Sequence, residues 1–321
     1  MTRGARIGLL NGAAVLVAVV LSLSAAGRGA ETHTRVAQVA PTTQAIETLT
    51  MPDGSPALRD AGGEVVPLRR YARIASVSLI ADHILTEVCE PERVVAVTGR
   101  SKRSSHFGHL HGGRAALESL ENLESILALE PDLLITNRFG DPRFAARLRE
   151  RGITLFDLGE MRGLETLIPN IHAVATLAGH PERGARLAER LQRRMRAIAR
   201  HVPHDARPRG LYLSLYGKQL FGGTRGTSYH DVITHAGLRD AAAERYEGWP
   251  ALDAEMILAL DPEVLITKAK MGAPICNHPG MQQLRFCQPG GRIVELDLEL
   301  VDDPGPPILE MAETLHQAIH E

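Results

Sequence analysis

The sequence predicts an α/β protein of two lobes joined by a long helix, and three observations support this fold class. Short apolar runs typical of buried strands alternate with helical segments after about residue 70, which favours βαβ units around parallel sheets. One fifteen-residue segment, 122–136, recurs at 253–267. Between the copies, residues 164–203 keep a helical periodicity, interrupted at Gly179-His-Pro181, which predicts a connecting helix region. The alternative is two ordinary surface helices within one large domain.

Residues 1–26 have the layout of a secretory signal peptide. Arg3 and Arg6 precede an almost wholly apolar run, and Ser24-Ala-Ala26 supplies the small residues of a cleavage site. The alternative is a membrane anchor, because the run approaches the length that spans a bilayer. Its Ala, Val and Gly content and the small-residue site favour cleavage, and no Cys nearby would carry a lipid. We therefore expect an exported protein.

Residues 27–70 predict a flexible leader that ends in a hairpin. The first half is rich in Thr, Pro, Gly and Ala without sustained periodicity. The second half contains Asp60–Leu68, which predicts a small hairpin around Gly62-Gly63.

Two lobes of similar construction follow. The first lobe is assigned to residues 71–163, with strands at 73–79, 94–97, 133–136 and 153–157 and helices at 80–88, up to Leu129 and at 142–151. A His- and Gly-rich loop is expected from Gly99 to Arg114. The second lobe is assigned to residues 204–321, with strands at 210–215, 264–267 and 292–297 and helices at 228–236, 253–260, 279–286 and 307–320.

Charge and cysteine content narrow the class of protein. The formal net charge is −2 with both signs interleaved, so nucleic acid is not an expected partner. Aromatic residues make up 4% of the chain, so few rings are available to stack on an apolar ligand. After export, Cys276 and Cys287 could bridge a short loop, which would leave Cys89 as a buried apolar residue.

The repeated segment and three other motifs carry a family resemblance. Both copies, Asn122–Thr136 and Asp253–Thr267, resemble the "S-L-E-x-I-L-A-L-x-P-D-L-V-I" pattern of periplasmic binding proteins for cobalamin, haem and ferric siderophores. The other motifs, including the opening pattern "R-I-V-S-L-x-P-S-x-T-E-I-L", correspond to residues 73–85, Phe221–Thr224 with Ala236–Ala242, and Gly291–Asp297.

This resemblance implies a fold and a role. The fold is that of a class III periplasmic binding protein, with two Rossmann-like three-layer lobes joined by a backbone helix. The implied role is that of a monomeric periplasmic receptor, not an enzyme, which delivers a metal chelate to the permease of an ABC importer. The chelate is cargo and no intrinsic cofactor is expected. In this family one acidic residue on each lobe docks on the permease, and Glu124 and Glu255 occupy these positions.

The sequence departs from the family pattern at two places. Ser78–Asp82 replaces the usual Pro-Ser-x-Thr-Glu after the first strand. The loop 101–114 carries Ser-Ser-His-Phe-Gly-His-Leu-His-Gly-Gly, where relatives often carry aromatic residues and Pro. These departures argue against a standard cobalamin ligand.

His106, His109 and His111 form a dense cluster in that loop. The loop follows a predicted parallel strand, and ligands of open α/β sheets gather beyond such strand ends. Imidazoles at this spacing could contact the ligand or bind a transition metal directly. The alternative is a polar loop whose histidines are solvated.

The second lobe supplies further candidates near its strand ends. Tyr or His could ligate haem iron, and Lys could hold a carboxylate-bearing chelate. The predicted ligand-binding residues here are Tyr216, Tyr229, His230, Trp249, Lys270 and Met271, with Lys268, Cys276 and His278 nearby.

Two alternative functions remain open. One is a receptor for a bare divalent metal ion that uses the histidine loop. The other is a secreted metalloenzyme built on the same histidines, which the missing hydrolase and nucleotide motifs disfavour: the chain has no Gly-x-x-x-x-Gly-Lys-Ser/Thr, His-Glu-x-x-His or Gly-x-Ser-x-Gly.

Overall fold

The computed structural model describes residues 46–118, 122–137, 142–301 and 305–320. The predicted signal peptide and the first part of the leader lie outside these ranges. None of the helices within them is both long and apolar enough to cross a membrane. The described chain contains one small antiparallel sheet and two larger sheets.

The antiparallel sheet consists of β1 (Glu47–Thr50), β2 (Pro56–Arg59) and β3 (Val65–Pro67). The turn between β2 and β3 contains Gly62 and Gly63, the latter with a φ of 88°, which favours glycine. The hairpin predicted here is present, but its first strand lies before Asp60. Ala61 N donates to Asp157 O at 3.1 Å, so this turn covers the edge of the first lobe's sheet.

The first lobe alternates strands and helices. Its elements are β4 (Ile74–Ser76), α1 (Leu79–Val88), β5 (Val94–Thr98), α2 (Gly99–Arg103), β6 (Ala115–Leu117), α3 (Leu123–Leu127), β7 (Leu133–Thr136), α4 (Pro142–Glu150) and β8 (Thr154–Asp157). The five strands are parallel in the order β6-β5-β4-β7-β8.

Two helices and the second lobe follow. The helices are α5 (Leu164–Leu177) and α6 (Pro181–Ile198). The second lobe contains β9 (Arg209–Tyr216), β10 (Gln219–Gly222), α7 (Ser228–His235), β11 (Arg239–Asp240), β12 (Ala251–Leu252), α8 (Ala254–Leu260), β13 (Val264–Lys268), α9 (Gly272–Cys276), β14 (Arg292–Leu296), α10 (Leu298–Val301) and α11 (Ile308–His320). Its strand order is β12-β10-β9-β13-β14, and β11 pairs with β9.

Both sheets are covered on two faces, as the alternation of side chains along each strand requires. In the first sheet, Ile74 and Leu133 face the core that α1, α5 and α6 also fill, whereas Leu134 faces the core under α3 and α4. In the second sheet, Tyr212 faces the first of these cores and Leu213 a separate one. The two lobes therefore share one hydrophobic core.

The predicted helical connector is two helices rather than one. Gly179, with a φ of 82°, ends α5, and His180 N donates to Ala175 O at 2.8 Å in a Schellman motif. Pro181 then begins α6, a position at which its missing N–H costs nothing. The Gly-His-Pro interruption in the sequence is thus a reversal of the chain.

Helix α6 contacts both lobes. Arg190 Nη2 donates to Glu87 on α1 at 2.9 Å, and Arg194 Nη2 donates to Glu313 on α11 at 2.6 Å. A Cβ at Gly184 would lie 2.4 Å from the Cβ of Ala175, so the glycine allows α6 to pack closely on α5. The helix that spans the two lobes is therefore α6.

Two predicted segments differ from the structure. The loop 99–114 contains α2 and a 3-10 turn at Gly108–His111. The helix expected at 279–286 is two 3-10 turns, Met281–Gln283 and Arg285–Cys287. Cys276 and Cys287 form a disulfide with a Cα–Cα distance of 5.4 Å, and Cys89 is free and buried.

Candidate functional site

The carboxyl ends of the two sheets face each other across a cleft. The loop after β5 reaches the segment after β14, where Ser104 Oγ donates to Glu299 Oε2 at 2.5 Å. At another point the segment after β8 reaches the second lobe, where Arg162 Nη2 lies 3.3 Å from Glu247 Oε1. The strand ends of both lobes therefore line one space, the position at which open α/β sheets bind ligands.

Glu299 holds the first of these contacts through several donors. Ser105 N and Oγ each donate to its Oε1 at 3.2 Å, in addition to the Ser104 hydroxyl. The Ser104 hydroxyl is the main cause that lowers the pKa of Glu299 to about 2. The carboxylate is thus ionised at any physiological pH and holds the loop of the opposite lobe.

Tyr216 and Lys268 lie at the ends of the two central strands of the second lobe, β9 and β13. The Tyr216 side chain is 58% exposed. Lys268 Nζ donates to Tyr216 Oη at 3.2 Å and lies 5.5 Å from the ring centroid. The phenol oxygen therefore lies at the cleft with a cation beside it.

Trp249 is the other exposed aromatic residue of the second lobe, with half of its surface accessible. Its ring packs edge-on against Tyr229 at 5.1 Å, and Tyr229 stacks on Tyr212 at 3.6 Å. Tyr229 is buried and donates its hydroxyl to Val301 O at 2.7 Å. Of the predicted pair, Trp249 is available to a ligand, whereas Tyr229 supports it from below.

The remaining second-lobe candidates have varied surroundings. His230 Nδ1 lies 2.8 Å from the buried Asp240 carboxylate, and this contact raises the pKa of His230. Lys270 is exposed, with a φ of 67°. Met271 is partly buried against the second-lobe core, and His278 Nε2 contacts Lys218 O at 2.9 Å. Lys270 is the only one of these four residues that is exposed.

The three loop histidines do not converge. His106 is partly exposed, and its Nε2 lies 3.6 Å from Asp297 Oδ1 of the opposite lobe. His109 is exposed, whereas His111 is buried with Nδ1 3.2 Å from Arg114 Nη1. Burial lowers the pKa of His111 to about 4.

The three imidazoles therefore do not form one metal site in this structure, and the prediction of such a site gains no geometric support. The 3-10 turn at Gly108–His111 directs His111 into the lobe, while His106 faces the second lobe. Within the described residues, no group of three or more His, Cys, Asp or Glu side chains could hold a metal ion.

A cavity of about 270 Å³ lies beside the Ser104–Glu299 contact. Its polar wall comes from α2 and the residues after it, and its apolar wall from both lobes. The lining residues are Leu79, His83, Arg100, Ser101, Arg103, Ser104, Phe107, Leu298 and Glu299. These residues are not among those predicted from the sequence, although the basic run Arg100–Arg103 beside the histidine loop was a signal for them.

Asp82 fixes helix α2, which carries this polar wall. The carboxylate is fully buried, and its Oδ2 accepts hydrogen bonds from Thr98 N at 3.0 Å and from Thr98 Oγ1 and Ser101 Oγ at 2.7 Å. Burial raises the pKa of Asp82 to about 6. Because Asp82 belongs to the segment that departs from the family pattern, this departure has a structural role in positioning α2.

Glu124 and Glu255 are exposed in the first turns of α3 and α8. Each helix is capped in the same way: Asn122 accepts from Ser125 N, and Asp253 accepts from Met256 N. The two carboxylates therefore occupy equivalent surface positions on the two lobes.

The fold and the cleft define a two-lobed binding protein with its ligand space between the lobes. The chain belongs to the periplasmic binding protein family, whose model matches residues 74–296. The resemblance seen in the sequence motifs is thus confirmed. Members of this family are substrate-binding proteins.

Proteins similar to this chain include a vitamin B12-binding protein and periplasmic heme-binding proteins. The chain is 26% identical over 196 residues to the vitamin B12-binding protein of Vibrio cholerae serotype O1. This alignment covers 61% of the present chain and 70% of the relative. It is 25% identical to the structure of the periplasmic heme-binding protein RhuT from Roseiflexus sp. RS-1, with a TM-score of 0.64 and coverage of 77% and 97%. The periplasmic heme-binding protein HutB of Vibrio cholerae shares the fold, with a TM-score of 0.67, 19% identity and coverage of 78% and 99%.

Proposed function

We propose that this protein is the periplasmic receptor of an ABC importer and that it delivers an iron chelate of the haem type. Family membership and the chelate-binding relatives support the general role. The observation that carries the choice of chelate is the exposed Tyr216 phenol at the cleft, with the Lys268 ammonium beside it.

The chemistry of this pair suits ferric iron. Tyrosine oxygen is an established axial ligand of haem iron. A metal-bound phenolate carries negative charge, and an ammonium group 3.2 Å from the oxygen stabilises that charge. Trp249 adds an exposed ring that can pack against a flat macrocycle.

A cobalamin-type ligand is the second candidate. The relatives with sequence similarity include vitamin B12-binding proteins, which favours a corrinoid. The bare-metal receptor and the secreted metalloenzyme have weaker support, because the described residues supply no converging set of metal ligands.

The partner in this proposal is the importer's transmembrane permease. Glu124 and Glu255 would dock on it, since two exposed carboxylates on different lobes can fix the orientation of the receptor. Residues 1–26 would direct export, and the receptor would act as a monomer.

The test is a spectroscopic titration of the purified protein with hemin, cyanocobalamin and ferrichrome. We expect stoichiometric binding of hemin with a shift of its main absorption band. Tyr216→Phe should weaken hemin binding about tenfold and alter the spectrum, because the iron loses an oxygen ligand. Tyr246→Phe serves as the matched control and should change neither.

The outcomes separate the candidates. Binding of cyanocobalamin without hemin would establish the second candidate in place of the first. Binding of ferrichrome alone would keep the receptor role and reject the haem-type ligand. Failure to bind any of the three would contradict the proposed function.

A further inference from the structure

Arg103, on the polar wall of the inter-lobe cavity, forms an ion pair with Glu118, the residue after β6. Arg103 Nη2 donates to Glu118 Oε2 at 2.9 Å, and Arg103 Nη1 donates to Glu118 Oε1. The contact is bidentate, the geometry in which a guanidinium recognises a carboxylate most specifically. Arg103 lines the cavity, so this recognition geometry lies at the ligand space.

The pair is easily opened, because the two side chains are 64% and 62% exposed. Exposed ion pairs contribute little to stability even when their geometry is good. An external carboxylate could therefore replace Glu118 on Arg103 without breaking a buried contact. The main chain is not involved in the pair, so such an exchange needs only rotation of the Glu118 side chain.

Gly99 provides the space in which the Glu118 carboxylate lies. A Cβ at this position would come within 2.3–2.4 Å of the carboxylate atoms. The absence of a side chain at the first residue of α2 thus leaves room for one carboxylate group beside the Arg103 guanidinium.

The short helix that carries Arg103 is fixed to the first lobe. Arg103 ends α2, whose first turn is bonded to the buried Asp82 through Thr98 and Ser101. Lys102, next to Arg103, donates to Arg114 O. The helix that carries Arg103 is therefore anchored at both ends within the first lobe.

We propose that Arg103 determines specificity for a ligand carboxylate and that Glu118 occupies the place of this carboxylate until a ligand replaces it. The inference rests on the proposed receptor function and extends it by naming the chemical group recognised. Glu118 is in this view an internal competitor: it lowers the affinity for acidic chelates and excludes chelates that cannot displace it.

The test compares hemin, which has two carboxylates, with hemin dimethyl ester, which has none. Arg103→Gln should weaken hemin binding about tenfold and leave binding of the ester unchanged. Glu118→Gln should tighten hemin binding about threefold, because the neutral amide competes less well for the guanidinium. The matched control is the exposed Glu189–Arg193 pair on α6, whose Gln variants should alter neither ligand.

The diagnostic result is that Arg103→Gln weakens hemin binding whereas Glu118→Gln tightens it. If the pair were only structural, Arg103→Gln and Glu118→Gln would change both ligands alike and lower the melting temperature. Equal affinities of the wild-type protein for hemin and its ester would overturn the carboxylate proposal while the receptor function stands. Preference for cyanocobalamin over hemin would overturn it too. Absence of binding to all of these probes would instead reject the proposed function itself.

Discussion

The repeat copy in the first lobe, residues 122–136, and the copy in the second lobe, residues 253–267, adopt the same local structure. Each begins with a capped helix and leads to a central strand, β7 or β13. The residue before the proline is in the left-handed region in both copies, with a φ of 44° at Glu130 and 47° at Asp261. Such a conformation is uncommon for residues other than glycine, so its recurrence marks a true structural repeat.

The likeness extends beyond the fifteen residues. Arg73 precedes β4 and donates to Leu129 O, and Arg209 begins β9 and donates to Leu260 O. Each arginine thus binds a carbonyl at or just beyond the end of the repeat helix in its own lobe, α3 or α8.

The two lobes differ in the segments that follow the carboxyl ends of their strands. The first lobe places a short helix, α2, on the buried Asp82 and presents Arg103 to the cavity. The second lobe presents an exposed phenol with a lysine, Tyr216 and Lys268. The repeat thus supplies the framework and the two equivalent exposed carboxylates, Glu124 and Glu255, whereas the residues proposed to contact the ligand lie outside the repeat.

The largest expected effect concerns the equivalent surface positions of the two repeat copies. Charge reversal at both equivalent sites, Glu124→Lys with Glu255→Lys, should abolish stimulation of the importer's ATPase in reconstituted vesicles, because both proposed docking carboxylates are lost. Ligand affinity should stay unchanged. The control is Glu182→Lys with Glu189→Lys on α6. Undiminished stimulation by the first double variant would show that the repeat has no docking role.

The next effect concerns two buried titratable groups of the first lobe, Asp82 and His111. The pKa of Asp82 is raised from 3.8 to about 6, so the Asp82 carboxylate binds a proton more tightly in the folded state than in the unfolded state. The resulting stabilisation is complete below about pH 4 and is lost as the pH rises through about 6. At about 1.36 kcal/mol per pKa unit, the change amounts to about 3 kcal/mol.

His111 acts in the opposite direction. Its pKa is lowered from 6.5 to about 4, so its contribution is present above about pH 6.5 and is lost as the pH falls through about 4. We expect the two effects to offset each other in the wild-type protein. In Asp82→Asn the free energy of unfolding should rise with pH between 4 and 6.5, and in His111→Gln it should fall.

Urea unfolding at several pH values between 4 and 7 measures these slopes. His109→Gln, an exposed position in the same loop, is the control and should follow the wild-type profile. Superimposable profiles for Asp82→Asn and the wild type would contradict a titrating carboxyl group at this site.

A smaller effect tests the equivalence of the two arginines. Arg73→Met should lower the free energy of unfolding by about 1–2 kcal/mol, because Nε and Nη2 both bind carbonyl oxygens of the repeat turn. Arg209→Met should have the same sign with a similar or smaller magnitude. Thermal unfolding measures both, with the exposed Arg186→Met on α6 as control. A lower free energy of unfolding in only one of the two variants would show that the two arginines contribute differently to stability although their contacts are alike.

Sequence reasoning predicted the framework because that information is local. The strand at 133–136 and the strand ending the second copy are apolar runs between acidic-Pro turns and polar loops, and both are present as β7 and β13. The repeat itself predicted two lobes. Helix α2 was missed because it is short and polar and depends on Asp82, a contact 16–19 residues away.

The candidate site could be predicted only in part. Tyr216 and Trp249 could be named as candidates because large aromatic residues near strand ends are conspicuous in a chain with few of them, and both are exposed in the structure. The contact between Ser104 and Glu299 joins residues 195 positions apart, and no local pattern predicts it. His106, His109 and His111 are close in sequence, but the fold does not bring their rings together, and spacing along the chain could not show this.

The smallest expected effect concerns motion between the two lobes. Asp231 on α7 accepts a hydrogen bond from Leu164 N, the first residue of α5, at 2.6 Å, and Glu299 holds the loop after β5. Gly163 has a φ of 76°, and a Cβ there would lie 2.1 Å from Asp231 Oδ2, so this junction is tightly packed. Together with α6, which contacts both lobes, these contacts should limit closure on ligand.

We therefore expect the radius of gyration to change by less than about 1 Å between the free and the hemin-loaded protein in solution scattering. Asp231→Ala removes the carboxylate that caps α5 and should enlarge this change. Asp205→Ala, on an exposed turn after α6, serves as the control. A decrease of several ångströms in the wild-type protein would show that the lobes move as independent bodies. The shared hydrophobic core would then have to open between α5, α6 and the second lobe during each binding event.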